Sequence, residues 1–205
     1  MPERETLAGA ARRAQEEDGG LEDVRFAGEQ IEGEDLSGLE WRRVTLTACR
    51  FVECDLSGLS LYDCVLEDCA FERCRLSGGY WKDTVLSGSR GEGCDFRDSR
   101  FRDCRWKGDR LRYANFAQSR WERGSVEGCV LRETSFSGAR LREVVLREND
   151  LTGAELFRAE LRGIDLSSCI IDGIVLSQSC GELRGVKIGA NQAAVVARIL
   201  GIEVV

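Results

Sequence analysis

The sequence contains no histidine at all among its 205 residues. That absence removes the commonest general base and the commonest nitrogen ligand for zinc. It also lacks a Walker loop, a GxGxxG or GxSxG motif and any CxxC pair, so neither catalysis nor a bound cofactor or metal is expected. No apolar run approaches the ~20 residues of a membrane span. The opening Met-Pro-Glu-Arg-Glu has neither the basic nor the apolar region of a secretory leader. A reducing cytoplasm is therefore the expected setting. Its ten cysteines are expected to be free thiols, because a chain of this length can build a core without disulfide staples. The balance of 36 acidic against 29 basic residues, net -7, lacks the basic footprint of direct nucleic-acid binding.

What the chain has instead is a period of five. From Leu21 to Leu176, every fifth residue is large and apolar at 31 of 32 positions, and Gly91 is the one exception. Two residues before these positions stand small side chains, and nine of the ten cysteines fall there: Cys49, Cys54, Cys64, Cys69, Cys74, Cys94, Cys104, Cys129 and Cys169. Such a period is neither helical nor that of a simple strand. Residues two apart point to the same side of an extended segment, so the small and the large residue both face inward. The remaining polar pair, often Ser-Gly as at Ser37-Gly38 and Ser57-Gly58, turns a corner. Glu34-Asp35-Leu36-Ser37-Gly38-Leu39 returns twenty residues later as Cys54-Asp55-Leu56-Ser57-Gly58-Leu59, which makes four sides to a coil.

Units such as Cys54-Asp55-Leu56-Ser57-Gly58, Ala114-Asn115-Phe116-Ala117-Gln118 and Ala154-Glu155-Leu156-Phe157-Arg158 resemble the A(D/N)LXX unit of the pentapeptide-repeat family over about residues 21 to 180. The resemblance implies an all-β fold, a right-handed quadrilateral β-helix of about eight coils. Residues 1–20 are expected to form a helical N-terminal cap or a frayed tail, with Leu7, Ala10, Ala11 and Ala14 as its apolar stripe and Gly19-Gly20 as its stop. Residues 181–205 are expected to form a capping helix, with Asn191 at its N-cap, and a short strand over Ile202–Val205. This tail resembles the C-terminal module of many members, including the quinolone-resistance proteins. The resemblance implies a homodimer, for which Val195, Val196, Ile199 and Leu200 supply the apolar surface.

At their small inward positions the nine in-phase cysteines read as compact hydrophobes; the competing reading is a thiophilic metal ladder or a redox array. Cys180 is out of phase and stands where the repeat ends. Asp109 and Asn149 occupy the same inward phase, either as part of a site or as side chains bonded to corner amides. Gly91 is expected either to make room for the indole of Trp81 across the coil or to open a crevice over Gly88–Gly93. The charge over residues 101–140 is +4. Arg100 at its edge and Arg102, Trp106, Arg110, Arg112, Tyr113, Arg120, Trp121 and Arg123 within it form a candidate partner-binding belt. Two roles follow. One is a rigid scaffold that binds a protein partner. The other, implied by the family's quinolone-resistance members, is a DNA-mimicking regulator of DNA gyrase. A mimic of DNA should be acidic along a face, and the belt is basic.

Overall fold

The computed structural model describes residues 5–17 and 19–205. Its chain winds into a four-sided solenoid in which each pentad is one side, as the period predicts. Parallel pairing joins residues twenty apart on every side. On the first, Leu21 aligns with Trp41, Trp41 with Leu61, Trp81 with Phe101 and Trp121 with Leu141. The second side aligns Phe26 with Leu46 and Trp106 with Val126, and the third aligns Ile31 with Phe51 and Phe71. The fourth is held by single bridges such as Asp35 to Asp55 and Asn115 to Ser135. Two longer strands, Arg120–Glu127 and Arg140–Arg147, run unbroken through the corner between the first and second sides.

Short sides need tight corners, and the backbone meets that need with one left-handed residue per corner. Glycine takes this conformation at Gly38, Gly58 and Gly78, but Asp63, Asp68, Asp83 and Asp103 adopt it too, with φ of 51 to 54°. Aspartate tolerates the left-handed region better than most residues. Between 23 and 173 only the corner at Ser168 lacks the positive φ.

The interior is a column of stacked side chains. Phe96 lies on Phe116 at 4.9 Å and Phe116 on Phe136 at 5.1 Å, nearly parallel. Trp121 stacks on Phe101 at 4.0 Å and meets Trp106 edge-on at 5.0 Å. Aromatic pairs in these geometries contribute roughly 0.5–1.5 kcal/mol beyond burial. Toward the C-terminal end the column turns aliphatic, and an apolar cavity of about 30 Å³ remains among Leu141, Leu146, Leu161 and Leu166.

Helix α1 (Leu7–Glu16) closes the first coil. Thr6 caps it through the Gly9 amide, and Leu7, Ala10, Ala11 and Ala14 are buried. The two glutamates in the inward phase of that coil hold it in place. Glu29 accepts from the Leu7 amide at 2.7 Å, and Glu34 pairs with Arg12. At the far end, helix α2 (Ala193–Ile199) follows a 3-10 turn over Ala190–Gln192. Gln192 locks this cap: its amide donates to Leu166 and Cys169 carbonyls at 2.9 and 2.6 Å and accepts from the Gly189 amide at 2.6 Å. Asn191, expected at the N-cap, makes no capping bond, because the helix begins two residues later under Gln192. Residues 202–205 form no strand; they extend beyond the last coil, where no neighbouring strand supplies a ladder.

Gly91 also departs from expectation. A Cβ there would lie 3.0 Å from Leu111 Cδ2, so the next coil's leucine fills the space. Trp81 finds its room at Gly79, where a Cβ would lie 2.8 Å from the indole nitrogen. Gly91→Leu is therefore expected to destabilise the fold by about 1–3 kcal/mol through a clash with Leu111. Thermal melting checks this, and Leu111→Ala in the same chain should recover part of the loss.

Candidate interaction surface

The inward small position has a chemical task beyond fitting. The coil-to-coil ladder uses the carbonyls of the corner and strand-edge residues and bypasses that of the large inward residue, which at some pentads accepts from the amide three residues on, as Phe96 does from Ser99 at 3.3 Å, and at others has no backbone partner. A donor in the next coil reaches it. Cys54 Sγ lies 3.5 Å from the Ile31 carbonyl, Cys64 Sγ 3.4 Å from Trp41, Cys74 Sγ 3.5 Å from Phe51 and Cys104 Sγ 3.3 Å from Trp81. Ser99 and Asn149 do the same for Leu76 and Val126 at 3.1 and 2.8 Å. In each of these bonds the donor stands 23 residues after its acceptor. A thiol is thus a small hydrophobe that also satisfies a buried acceptor, at a place where an orphaned carbonyl would be costly. All nine in-phase cysteines are buried and all ten are free; Cys180 is partly exposed. Burial pushes the Cys94, Cys104 and Cys129 thiols up to about 12, away from the reactive thiolate.

Asp109 and Asn149 belong to a second ladder, which runs up the corner before the third side. The Cys69 amide donates to Ser89 Oγ at 3.0 Å, and the Ser89 amide to Asp109 Oδ1 at 2.8 Å. The Asp109 amide donates to Cys129 Sγ at 3.4 Å, and the Cys129 amide to Asn149 Oδ1 at 2.9 Å. Both side chains therefore serve backbone amides. Asp109 is fully buried with no cation beside it, and burial pushes its carboxyl up to about 7.

The belt does not form one surface. Trp106 and Trp121 are 1% and 6% exposed and belong to the core; their place in the pentad phase points their rings inward, whatever the charge around them. Arg110, Arg112 and Tyr113 lie on or beside the third side, opposite the first, where the Arg112 guanidinium stacks 5.3 Å from the Tyr113 ring centroid. Arg102 and Arg123 are tied to Asp103 at 3.5 and 2.9 Å. Arg100 and Arg120 remain on the first side.

These two line up with a third arginine outside the candidate belt, Arg140. Strand register aligns Arg100 with Arg120 and Arg120 with Arg140. All three are exposed, and only Arg140 has an acidic partner, Glu160 at 3.1 Å. Three like charges thus stand at the strand spacing of ~4.8 Å. Like charges directly opposite destabilise a sheet, and among the described residues Arg100 and Arg120 have no acidic side chain that offsets the repulsion. The signal of the column in the sequence is arginine recurring at intervals of twenty.

The apolar residues of the tail are placed as follows. Val195, Val196 and Ile199 pack partly against the core, whereas Leu200 is 55% exposed. Among the described residues no helix is long and apolar enough to cross a membrane.

Residues 44–108 match the family described as Pentapeptide repeat region, and residues 110–148 match Pentapeptide repeats (8 copies). No curated protein matches the chain. Among solved structures, the chain is similar to HetL, a pentapeptide repeat protein involved in heterocyst differentiation regulation from the cyanobacterium Nostoc sp. strain PCC 7120. The TM-score is 0.55 at 16% identity, covering 91% of this chain and 98% of HetL. A trypsin-treated form of QnrB1, a plasmid-mediated fluoroquinolone resistance protein, is 23% identical with a TM-score of 0.47, covering 91% and 99% of the two chains.

Two measurements check the interior. Asp109 holds its proton to a higher pH folded than unfolded, so folding stability should fall as pH rises from the ordinary carboxylate range through about 7. Asp109→Asn keeps an acceptor for Ser89 without the charge. It should raise the melting temperature by several degrees at pH 8 and change it little at pH 4. Thiol titration of the native protein should show one fast-reacting cysteine, Cys180, with the other nine reacting only on unfolding.

Proposed function

Because the chain belongs to the pentapeptide-repeat family, we propose that it is a non-catalytic, rigid interaction module that docks an acidic surface of a protein partner along its first side. The observation that carries this reading is the in-register column Arg100, Arg120 and Arg140. An acidic partner would offset a repulsion that the free rod must bear. The rod suits the task, because its charges are mounted on a backbone ladder and little conformational freedom is lost on binding.

The same reading includes a homodimer through the C-terminal cap, supported by the exposure of Leu200 beside the half-covered Val195, Val196 and Ile199. Regulation of DNA gyrase, the role that the resemblance to quinolone-resistance proteins implies, calls for an acidic face, and the first side is basic at its centre.

Arg120→Glu tests the docking face. In the free protein it replaces two repulsive contacts by two attractive ones, so stability should rise by up to ~1 kcal/mol. Binding of an acidic probe, poly-L-glutamate, should weaken in the same variant and should weaken with added salt in the parent. Equal binding by parent and variant would remove the docking proposal. Gyrase supercoiling assays with and without a quinolone decide the alternative: inhibition or protection at stoichiometric protein would replace the acidic-surface reading.

A further inference from the structure

The coil-to-coil ladder opens along one whole side. Between the seventh and eighth coils, the second side should carry four backbone hydrogen bonds that the repeat makes elsewhere. In the preceding coils the Ser125 amide donates to the Cys104 carbonyl at 3.0 Å, between the fifth and sixth, and the Gly128 amide to the Arg147 carbonyl at 2.9 Å, between the sixth and seventh. The equivalent bonds from Glu143 to Arg162, Leu146 to Asp165, Glu148 to Ser167 and Asp165 to Val144 are absent. The Glu148 amide turns instead to Ser168 Oγ at 3.2 Å, beside the one corner without a left-handed residue. The eighth coil is not loose. Its outer edge pairs onward, the Lys187 amide to the Ile164 carbonyl at 2.9 Å and the Leu166 amide to the Lys187 carbonyl at 2.8 Å. Two strand edges therefore face each other with unpaired donors and acceptors, and the groove between them holds about 440 Å³. Behind it lies the small apolar cavity, bounded by Leu146 and Leu166 from the two edges. In front stands Val145, 42% exposed, an apolar residue in a phase that is polar at most other coils.

We propose that this slot receives residues 202–205 of a second copy of the chain as an added parallel strand. The segment Ile202-Glu203-Val204-Val205 is rich in strand-forming residues and largely exposed. Its last backbone bond is from the Ile202 amide to the Ala197 carbonyl, at 2.9 Å. It follows the cap that closes the C-terminal end of the rod, and four extended residues reach ~13 Å. With Glu203-Val204-Val205 in register with Val145-Leu146-Arg147, the four unpaired groups at the centre of the slot find partners. The Glu203 amide meets the Val144 carbonyl, the Leu146 amide meets the Glu203 carbonyl, and the Asp165 amide and carbonyl meet the Ile202 carbonyl and the Val204 amide. Val204 then stacks between Leu146 and Leu166, against the cavity. The inference rests on the reading that the C-terminal cap joins two copies, and it names the contact that does so.

Amide hydrogen exchange tests it. In the full chain, at concentrations where light scattering shows a dimer, the Leu146 and Asp165 amides should exchange at least about tenfold more slowly than in a chain ending at Gly201. That shortened chain should be monomeric, and a peptide spanning residues 198–205 should restore the protection. Three results would overturn the proposal. The two amides exchange fast in the full-length dimer, in which case the copies join elsewhere and only the slot assignment fails. They are equally slow in the shortened chain, in which case the ladder closes by itself. They are slow in a full chain that is monomeric at every concentration, in which case the tail enters its own slot and the dimer reading fails as well.

Discussion

Everything in this molecule depends on the return of the backbone to itself after twenty residues. No pentad is a stable strand alone; three residues on a side cannot bury enough or bond enough. Each becomes one only because an equivalent pentad lies directly below, offering amides and carbonyls in the matching phase. The return demands a corner every five residues, and the corner demands one left-handed residue. The left-handed residue in turn favours glycine and aspartate, which hold 19 of the 30 left-handed corners between 23 and 173, while arginine, glutamate and others bear the strain at the rest. The core follows: with sides fixed in length, only two inward side chains fit per pentad, one large and one small.

The period was therefore readable in full, and with it the four sides, the register and the burial of the nine in-phase cysteines. The errors arose where a residue was judged by type and not by phase. Trp106 and Trp121 suggested a binding belt beside so many arginines, yet their place in the count of five fixes both rings in the core. Ile202–Val205 has strand-forming side chains, but a strand in this fold needs a pentad below it, and the segment has run past the last one. Gly91 was rightly seen as a gap in the large phase, but its compensation comes from Leu111, one coil away along the axis. Spacing reveals which residues share a column; it does not reveal how far a side chain leans within it.

Other features had a faint signal that needed the backbone to interpret. The preference for cysteine over alanine at the small position becomes intelligible once the unpaired carbonyl 23 residues earlier is seen, since a thiol donates and a methyl group does not. Asp109 and Asn149 could be read in advance as amide-bonding side chains, and they are linked into one run with Ser89 and Cys129. The arginine column was visible as a recurrence at twenty, but only in-register pairing places one guanidinium above the next. The open side between the seventh and eighth coils left no trace in the sequence: Val145 is apolar in an outward phase, but so are Val65 and Val85 on the same side, where the ladder is closed.

The arginine column has one more consequence. Surface charges on most proteins ride on loops or helices whose relative positions drift, so a partner recognises an approximate cloud of potential. Here the spacing of the charges is the spacing of the hydrogen-bonded backbone itself. Arg100, Arg120 and Arg140 are rooted like marks on a ruler, and under the proposed docking a partner that matches the pitch would engage all three at once. One whose acidic groups have a different pitch falls progressively out of step. Selectivity on such a surface comes from periodicity, a quantity that is set by the fold and not by any individual side chain.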